Sequence, residues 1–258
     1  MLYLVGLGLC DEKDLSLRGL EILEKSDEIF IDHYTHIISD NTILELEKRL
    51  NKKIIKLERA ELENEKIILD SAKVKTISLI VGGDPLIATT HTSLILSCVK
   101  LGINYQIIHS SSIYSAAIGE SGLQTYKFGK SVTLVFWEEN YKPTSTYDII
   151  YENKKRGLHT LVFIDLHSQN AMDIKTACKT FRQMEDQIKK DLINDDFELL
   201  VLSRLGYPDK KIVFGKLKDI EVSDINSPFI IVVPGKLHFI EEEWLDNFRI
   251  YHLDDKLY

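Results

Sequence analysis

Gly82-Gly83-Asp84-Pro85-Leu86-Ile87-Ala88-Thr89-Thr90-His91 is the stretch on which the fold turns. It follows Val74 to Val81, an apolar, β-branched run with the character of a buried strand. It precedes Thr92 to Leu101, where Leu94, Cys98 and Leu101 share one helical face. The stretch is therefore a turn at the carboxyl end of a strand, feeding a helix, and open α/β sheets bind ligands at such turns. The two glycines permit positive φ and close backbone approach. Pro85 fixes a turn position and keeps Asp84 out of helical geometry, which lets its carboxylate point across the turn. Thr89, Thr90 and His91 bring hydroxyls and an imidazole to the same mouth. Taken alone, the fragment reads equally well as a helix-capping turn or as a ligand loop.

Upstream, the same rhythm repeats. Leu2 to Val5 is a short apolar strand ending in Gly6-Leu7-Gly8-Leu9, half of a dinucleotide fingerprint without its third glycine, so no pyrophosphate cradle is expected. Leu17, Leu20 and Leu23 mark a helix with Ser16 as its N-cap. Glu28 to Ile31 is a strand running into Asp32-His33-Tyr34-Thr35-His36, whose spacing matches no familiar metal site and reads as a loop lining a cleft. Thr42-Ile43-Leu44-Glu45 has the form of a capping box for the next helix. Lys53 to Leu57 is a strand, 59–64 a charged segment, and Glu65 to Ala72 a helix.

Downstream, Asn104 to His109 is a strand opening into Ser110-Ser111-Ser112-Ile113-Tyr114-Ser115, where backbone amides could meet a carboxylate or simply start a helix. Ser131 to Trp137 is a strand. The polar segment Glu138 to Ser145, with Pro143, is read as a domain boundary, giving an N-terminal α/β domain over 1–138 and a C-terminal α/β domain over 139–258. In the second, Ala177, Phe181, Met184 and Ile188 make a core-facing helical stripe. Strands are expected at His159 to Leu166, Leu199 to Ser203, Lys211 to Phe214 and Phe229 to Val233. A helix is expected at Tyr147 to Arg156 and a last one at Glu241 to Phe248.

Composition narrows the function. Among 258 residues, 44% are hydrophobic, enough for packed cores. The net charge of -8 leaves no basic surface for gripping nucleic acid. Cys10, Cys98 and Cys178 are isolated, which fits buried free thiols rather than disulfides or zinc. No apolar run reaches the ~20 residues that span a bilayer. Met1 to Leu9 lacks a basic start and reads as a strand, so a cytoplasmic location is expected. P-loop, nucleophile-elbow and zinc-protease motifs are missing from the sequence. Small, hydroxylated or acidic residues recur at strand ends instead, as an apolar crevice with a few polar anchors requires.

The chain also resembles the diphthine synthase family of tetrapyrrole-methylase-like (class III) methyltransferases. The likeness runs in order through Leu2-Tyr3-Leu4-Val5-Gly6-Leu7-Gly8-Leu9, Gly83-Asp84-Pro85-Leu86 with Ala88-Thr89-Thr90-His91, and Ser112-Ile113-Tyr114-Ser115-Ala116. It continues through Gly122-Leu123, Tyr126-Lys127-Phe128-Gly129, Pro143-Thr144-Ser145 with Tyr147-Asp148, Glu152-Asn153, Arg156-Gly157-Leu158-His159-Thr160 and Val233-Pro234-Gly235-Lys236-Leu237-His238. The glycines and the Gly-Asp-Pro turn are shared with the wider superfamily; the Ser-Ile-Tyr-Ser, Arg-Gly-Leu-His-Thr and Pro-Gly-Lys-Leu-His blocks point to this family.

The resemblance implies two α/β domains with a cofactor cleft between them, a homodimer, S-adenosylmethionine as methyl donor (S-adenosylhomocysteine as product), and elongation factor 2 as protein substrate, with no nucleic acid and no membrane partner. By position it implies cofactor contacts at Leu9, Asp84, Ile87, Ser112, Ile113, Ile164, Leu205 and Phe229, no metal, and no identified catalytic residue. His91, His109 and His159 are readable as bases but are expected to be structural. The chain departs from the family pattern at Asp32 to His36, over 168–187, and at Leu205-Gly206-Tyr207. Alternatives left open are a methyltransferase of the same fold acting on a tetrapyrrole or ribosomal RNA, and a non-catalytic protein that only binds the cofactor.

Overall fold

The computed structural model describes residues 1–167 and 170–250. Two compact units emerge, Met1–Ile113 and a second built from Tyr114–His167 with residues 171–250. In the first, β1 (Leu2–Gly6), β2 (Glu28–Asp32), β3 (Ile54–Leu57), β4 (Ile77–Val81) and β5 (Tyr105–Ile108) form one sheet in the order β3-β2-β4-β1-β5. Every pairing in it is parallel. Strand residues alternate between two cores. Leu4, Phe30 and Leu79 pack with Ile68, Leu94 and Cys98 from α4 (Lys66–Val74) and α5 (Thr92–Lys100). Val5, Ile31 and Ile80 pack with Leu23, Ile43 and Leu46 from α1 (Leu17–Lys25) and α2 (Asp40–Leu50). Helices thus cover both faces, as an all-parallel sheet demands. All five carboxyl ends lie along one edge, which gathers the loops after Gly6, Asp32, Val81 and Ile108.

The second unit carries a mixed sheet. Its strands are β6 (Val132–Leu134), β7 (Thr160–Ile164), β10 (Glu198–Ser203), β11 (Lys211–Lys216) and β12 (Phe229–Val233), in the order β11-β10-β12-β7-β6. Only β6 and β7 pair in parallel among its described strands. β8 (Leu166–His167) and β9 (Asn170–Ala171) form a separate two-stranded sheet. The predicted stripe of α8 (Ile174–Ile188) buries Ala177, Phe181 and Met184 against Tyr147 and Ile150 of α7 (Ser145–Lys155) and the sheet.

Two expectations need correction, and two open readings are settled. The domain boundary expected after residue 138 lies instead between Ile113 and Tyr114, because β6 hydrogen-bonds to β7 and so belongs to the second sheet. Thr42 does not open a capping box: Ser39 caps α2, its hydroxyl accepting from the Thr42 amide at 3.1 Å. The charged segment at 59–64 is helical, as α3 (Arg59–Asn64). The serine run does start a helix, α6 (Ile113–Glu120), one of its two readings. The departure over 168–187 includes Ser168 and Gln169, which lie outside the described residues.

Candidate functional site

The site is built from three loops at the carboxyl edge of the parallel sheet. After β1 the chain passes Leu7, whose amide donates to Val81 O at 2.8 Å, and Gly8, which pairs with Gly83 in an isolated antiparallel bridge. Gly8 sits at φ +96° and a Cβ there would meet the Asp14 Cβ at 2.3 Å, so both the backbone and the space require glycine. Asp14 was not singled out from sequence. Its Oδ2 accepts the amides of Leu9 (3.0 Å) and Cys10 (2.7 Å), fixing the half-buried Leu9.

The 82–91 turn leaves β4 as expected. Gly83 takes φ +68°, and a Cβ built there would have no neighbour nearer than 3.9 Å, that neighbour being Ser111 O. A Cβ at Gly83 would stand in ordinary contact with the backbone of Ser111 and Ser112, so it is the positive φ, rather than crowding, that calls for glycine. Asp84 is buried, and its carboxylate is held from three directions. Oδ1 accepts the Leu86 amide at 3.1 Å; Oδ2 accepts the Ser110 amide at 3.3 Å and lies 2.7 Å from Nδ1 of His109. Asp84, buried Ser112 and the half-buried Ile113 are thus brought together at the ends of β4 and β5, with Ile87 exposed on the same turn. Gly6 completes the packing: a Cβ there would stand 2.7 Å from both Gly83 O and the Ser110 Cβ.

The third loop, after β2, is a closed hydrogen-bond network rather than an open set of ligands. Asp32 is 0% exposed, and its carboxylate accepts the Tyr34 and Thr35 amides, accepts the Thr35 hydroxyl, and lies 3.3 Å from His91 Nε2. Burial pulls its pKa upward, but the His91, His36 and Thr35 interactions outweigh it and hold the carboxyl well below its ordinary range. His36 donates to the Thr35 hydroxyl at 2.7 Å, and burial pushes its imidazole down to about 4 against the opposing pull of Asp32. Among the described residues no group of three or more His, Cys, Asp or Glu is arranged to hold a metal ion.

The remaining predicted contacts belong to the second unit and share one end of its sheet. Ile164 closes β7. Phe229 opens β12, and the register that sets Ile231 opposite Val162 continues to bring Phe229 level with Ile164. Leu205 follows β10, where Ser203 pairs with Phe229 and Arg204 N donates to Pro228 O at 2.8 Å.

Two of the three family-specific blocks, Arg-Gly-Leu-His-Thr and Pro-Gly-Lys-Leu-His, converge elsewhere in the second unit. His159 is completely buried; its Nδ1 accepts the Gly235 amide at 2.9 Å and its Nε2 donates to Glu241 at 3.1 Å. Glu241 also accepts from the Lys127 ammonium and from the amides of Gln124 and His238. Burial alone would raise the Glu241 pKa; these donors bring it down to about 2. His159 is pushed down by burial, only partly offset by Glu241. Asn153 bonds Lys130 O and Thr160 Oγ1, both at 2.9 Å, and fills the space a Gly129 Cβ would need. These residues lock loops together, so His159 is structural, as expected.

A sequence profile of the family described as Tetrapyrrole (Corrin/Porphyrin) Methylases matches residues 1–221. Diphthine synthase of Methanocaldococcus jannaschii is 41% identical over 251 residues, 95% of this chain and 97% of that one. Diphthine synthase of Methanothermobacter thermautotrophicus is 38% identical over 248 residues, 95% of this chain and 94% of that one. The chain belongs to the tetrapyrrole methylase family, in its diphthine synthase branch. A crystal structure of diphthine synthase matches with a TM-score of 0.86 and 34% identity, covering 96% of this chain and 95% of that one. The diphthine synthase fold thus extends over both units, and the protein is an S-adenosylmethionine-dependent methyltransferase of diphthamide biosynthesis.

Proposed function

We propose that this methyltransferase acts on elongation factor 2, at a histidine extended by a 3-amino-3-carboxypropyl group, and methylates the amino group of that extension repeatedly to give diphthine or its methyl ester. The observation that carries the cofactor part is the buried Asp84 carboxylate, oriented by His109 and Ser110 on the turn after β4. That arrangement fits S-adenosylmethionine, since a fixed carboxylate suits the hydroxyl or ammonium groups of such a ligand. On this reading Leu9, Asp84, Ile87, Ser112 and Ile113 supply the contacts of the first unit, and Ile164, Leu205 and Phe229 those of the second.

When bound, the cofactor supplies an already activated methyl group, so the protein's task is to align donor and acceptor and to exclude water. The amine attacks in its neutral form, which a dry site favours. His91 and His159 are committed to internal bonds on both ring nitrogens, and the Nδ1 of His109 to Asp84, so none is assigned as a base. By family resemblance the protein works in the cytoplasm as a homodimer. No helix among the described residues is long and apolar enough to cross a membrane.

The test is a methylation assay with labelled S-adenosylmethionine and elongation factor 2 bearing the unmethylated extension, the product weighed by mass spectrometry. Methyl groups on that single histidine are expected, their number distinguishing a trimethylated amine from an added ester. Cofactor binding without transfer to this acceptor would overturn the proposal and leave a tetrapyrrole, an RNA or no acceptor at all.

A further inference from the structure

Asp32 is a completely buried carboxylate at the end of β2 to which the proposed reaction gives no chemical part. All its bonds run inward. Two backbone amides and the Thr35 hydroxyl secure it to its own loop, where His36 Nδ1 also lies 4.0 Å away, and one contact crosses to the neighbouring loop, at His91 Nε2. His91 is 5% exposed and closes the 82–91 turn on itself: Nδ1 lies 3.0 Å from Pro85 O, which also accepts the Thr89 hydroxyl at 2.7 Å. These bonds straddle Ala88, which stands at φ +57°. A left-handed conformation is unfavourable for a non-glycine residue and persists where the surroundings over-determine it. The same loop presses on the other end of the turn, for a Gly82 Cβ would stand 2.6 Å from the His36 ring. The turn that carries Asp84 is thus gripped at both ends by residues of the β2 loop.

We infer that Asp32 is a positioning residue for the cofactor site: acting through His91, it holds the 82–91 turn, and with it the Asp84 carboxylate, in the conformation that receives S-adenosylmethionine. The inference rests on the reading of that turn as cofactor-binding given above. A preorganised turn spares the ligand the cost of ordering it, so the effect belongs in cofactor affinity.

The two ring nitrogens of His91 have separable tasks, and two variants divide them. Glutamine places its amide nitrogen near the position of Nε2, keeping the link to Asp32 and giving up Pro85; asparagine mimics Nδ1, keeping Pro85 and giving up Asp32. Wild type, His91→Asn and His91→Gln, each verified as folded by circular dichroism, are titrated with S-adenosylmethionine by calorimetry, and kcat and KM are measured alongside. His91→Asn is expected to raise Kd by about tenfold and His91→Gln by less than about threefold, the loss falling on Kd and on KM for the cofactor more than on kcat. The reverse order, or equal Kd values, would overturn the inference, since the turn would then close without Asp32. Should His91→Asn fail to fold, Thr35→Val removes a hydroxyl from the same carboxylate while keeping the side-chain shape; a rise in Kd of about threefold supports the inference and an unchanged Kd defeats it. Wild type that binds no cofactor defeats the reading of the site itself, whatever the variants do.

Discussion

Among the described residues two histidine–carboxylate pairs are fully buried, one in each unit, and they differ in what surrounds the ring. His159 lies between a donor, the Gly235 amide, and an acceptor, Glu241, so a neutral ring satisfies both, and Glu241 takes its counter-charge from Lys127. His91 lies between two acceptors, Pro85 O and the Asp32 carboxylate. The first arrangement is a lock: every partner is internal, and the residues belong to the blocks that distinguish the diphthine synthase branch. The second tensions the turn that carries Asp84, and its residues include the Gly-Asp-Pro turn shared across the superfamily. Of the blocks that point to the branch, Arg-Gly-Leu-His-Thr and Pro-Gly-Lys-Leu-His meet at the lock, whereas Ser-Ile-Tyr-Ser begins beside the Asp84 turn.

The sharpest way to break the contrast is at glycine. A Cβ at Gly235 would sit 2.4 Å from Leu158 O and 2.6 Å from the Gly157 carbonyl carbon, backbone that cannot swing away, so Gly235→Ala is expected to cost more than about 3 kcal/mol or to prevent folding, read by chemical denaturation. Gly82→Ala meets a side chain, His36, and is expected to cost about 1–2 kcal/mol. Equal losses at the two positions would remove the distinction between lock and tensioned turn.

Next comes charge. Glu241→Gln leaves the Lys127 ammonium without its carboxylate in a largely buried setting, and a loss of about 2–4 kcal/mol is expected in the same denaturation experiment. A change under about 1 kcal/mol would mean that the amides of Gln124 and His238, rather than the ion pair, make the lock.

The pH dependence separates the clusters further. His36 and His159 have folded pKa values below their ordinary value of about 6.5, so the unfolded chain binds the extra protons and stability falls as pH drops below that value. For His36 the loss runs down to about pH 4 and amounts to roughly 1–3 kcal/mol. Glu241 and Asp32, both depressed, extend the decline: the contribution of Glu241 is complete above its ordinary value of about 4.5 and disappears as pH falls through about 2. Unfolding free energies measured from pH 8 to pH 3 check this, and His36→Gln should flatten the upper part of the curve while leaving the lower part.

The smallest effect is expected at Ala88. Glycine relieves the strain at φ +57° but adds freedom to the unfolded chain, two terms of about 1 kcal/mol with opposite signs, so Ala88→Gly should shift the melting temperature by no more than about 2 °C. A large destabilisation would show that the Ala88 methyl, rather than the bonds around it, holds the turn.

Much of this was legible along the chain because the signals are local. Gly82 to His91 announced a strand-to-helix turn, Ser16 capped its helix as read, and the stripe of Ala177, Phe181 and Met184 faced the core. Misreadings arose where the deciding contact is distant or the local signal ambiguous. Thr42 had the composition of a capping box, but Ser39 lies nearer the actual start of the helix. Val132 to Leu134 reads as one more strand of an alternating series, and nothing within it says that its partner is β7. Asp32 to His36 was seen as a polar cluster, yet its purpose depends on His91, 59 residues away along the chain from Asp32.

The sequence by itself determined the α/β class, the strand-end glycines and acids, and the branch to which the chain belongs, since propensity, periodicity and motif are properties of neighbouring residues. Tertiary structure alone decided the strand order β3-β2-β4-β1-β5, which sets Gly8 against Gly83 and β2 beside β4. It also decided which buried histidine faces two acceptors and which faces one. Those outcomes depend on which surfaces meet when the sheets assemble, and the energies involved exist only once water has been excluded between residues remote in the chain.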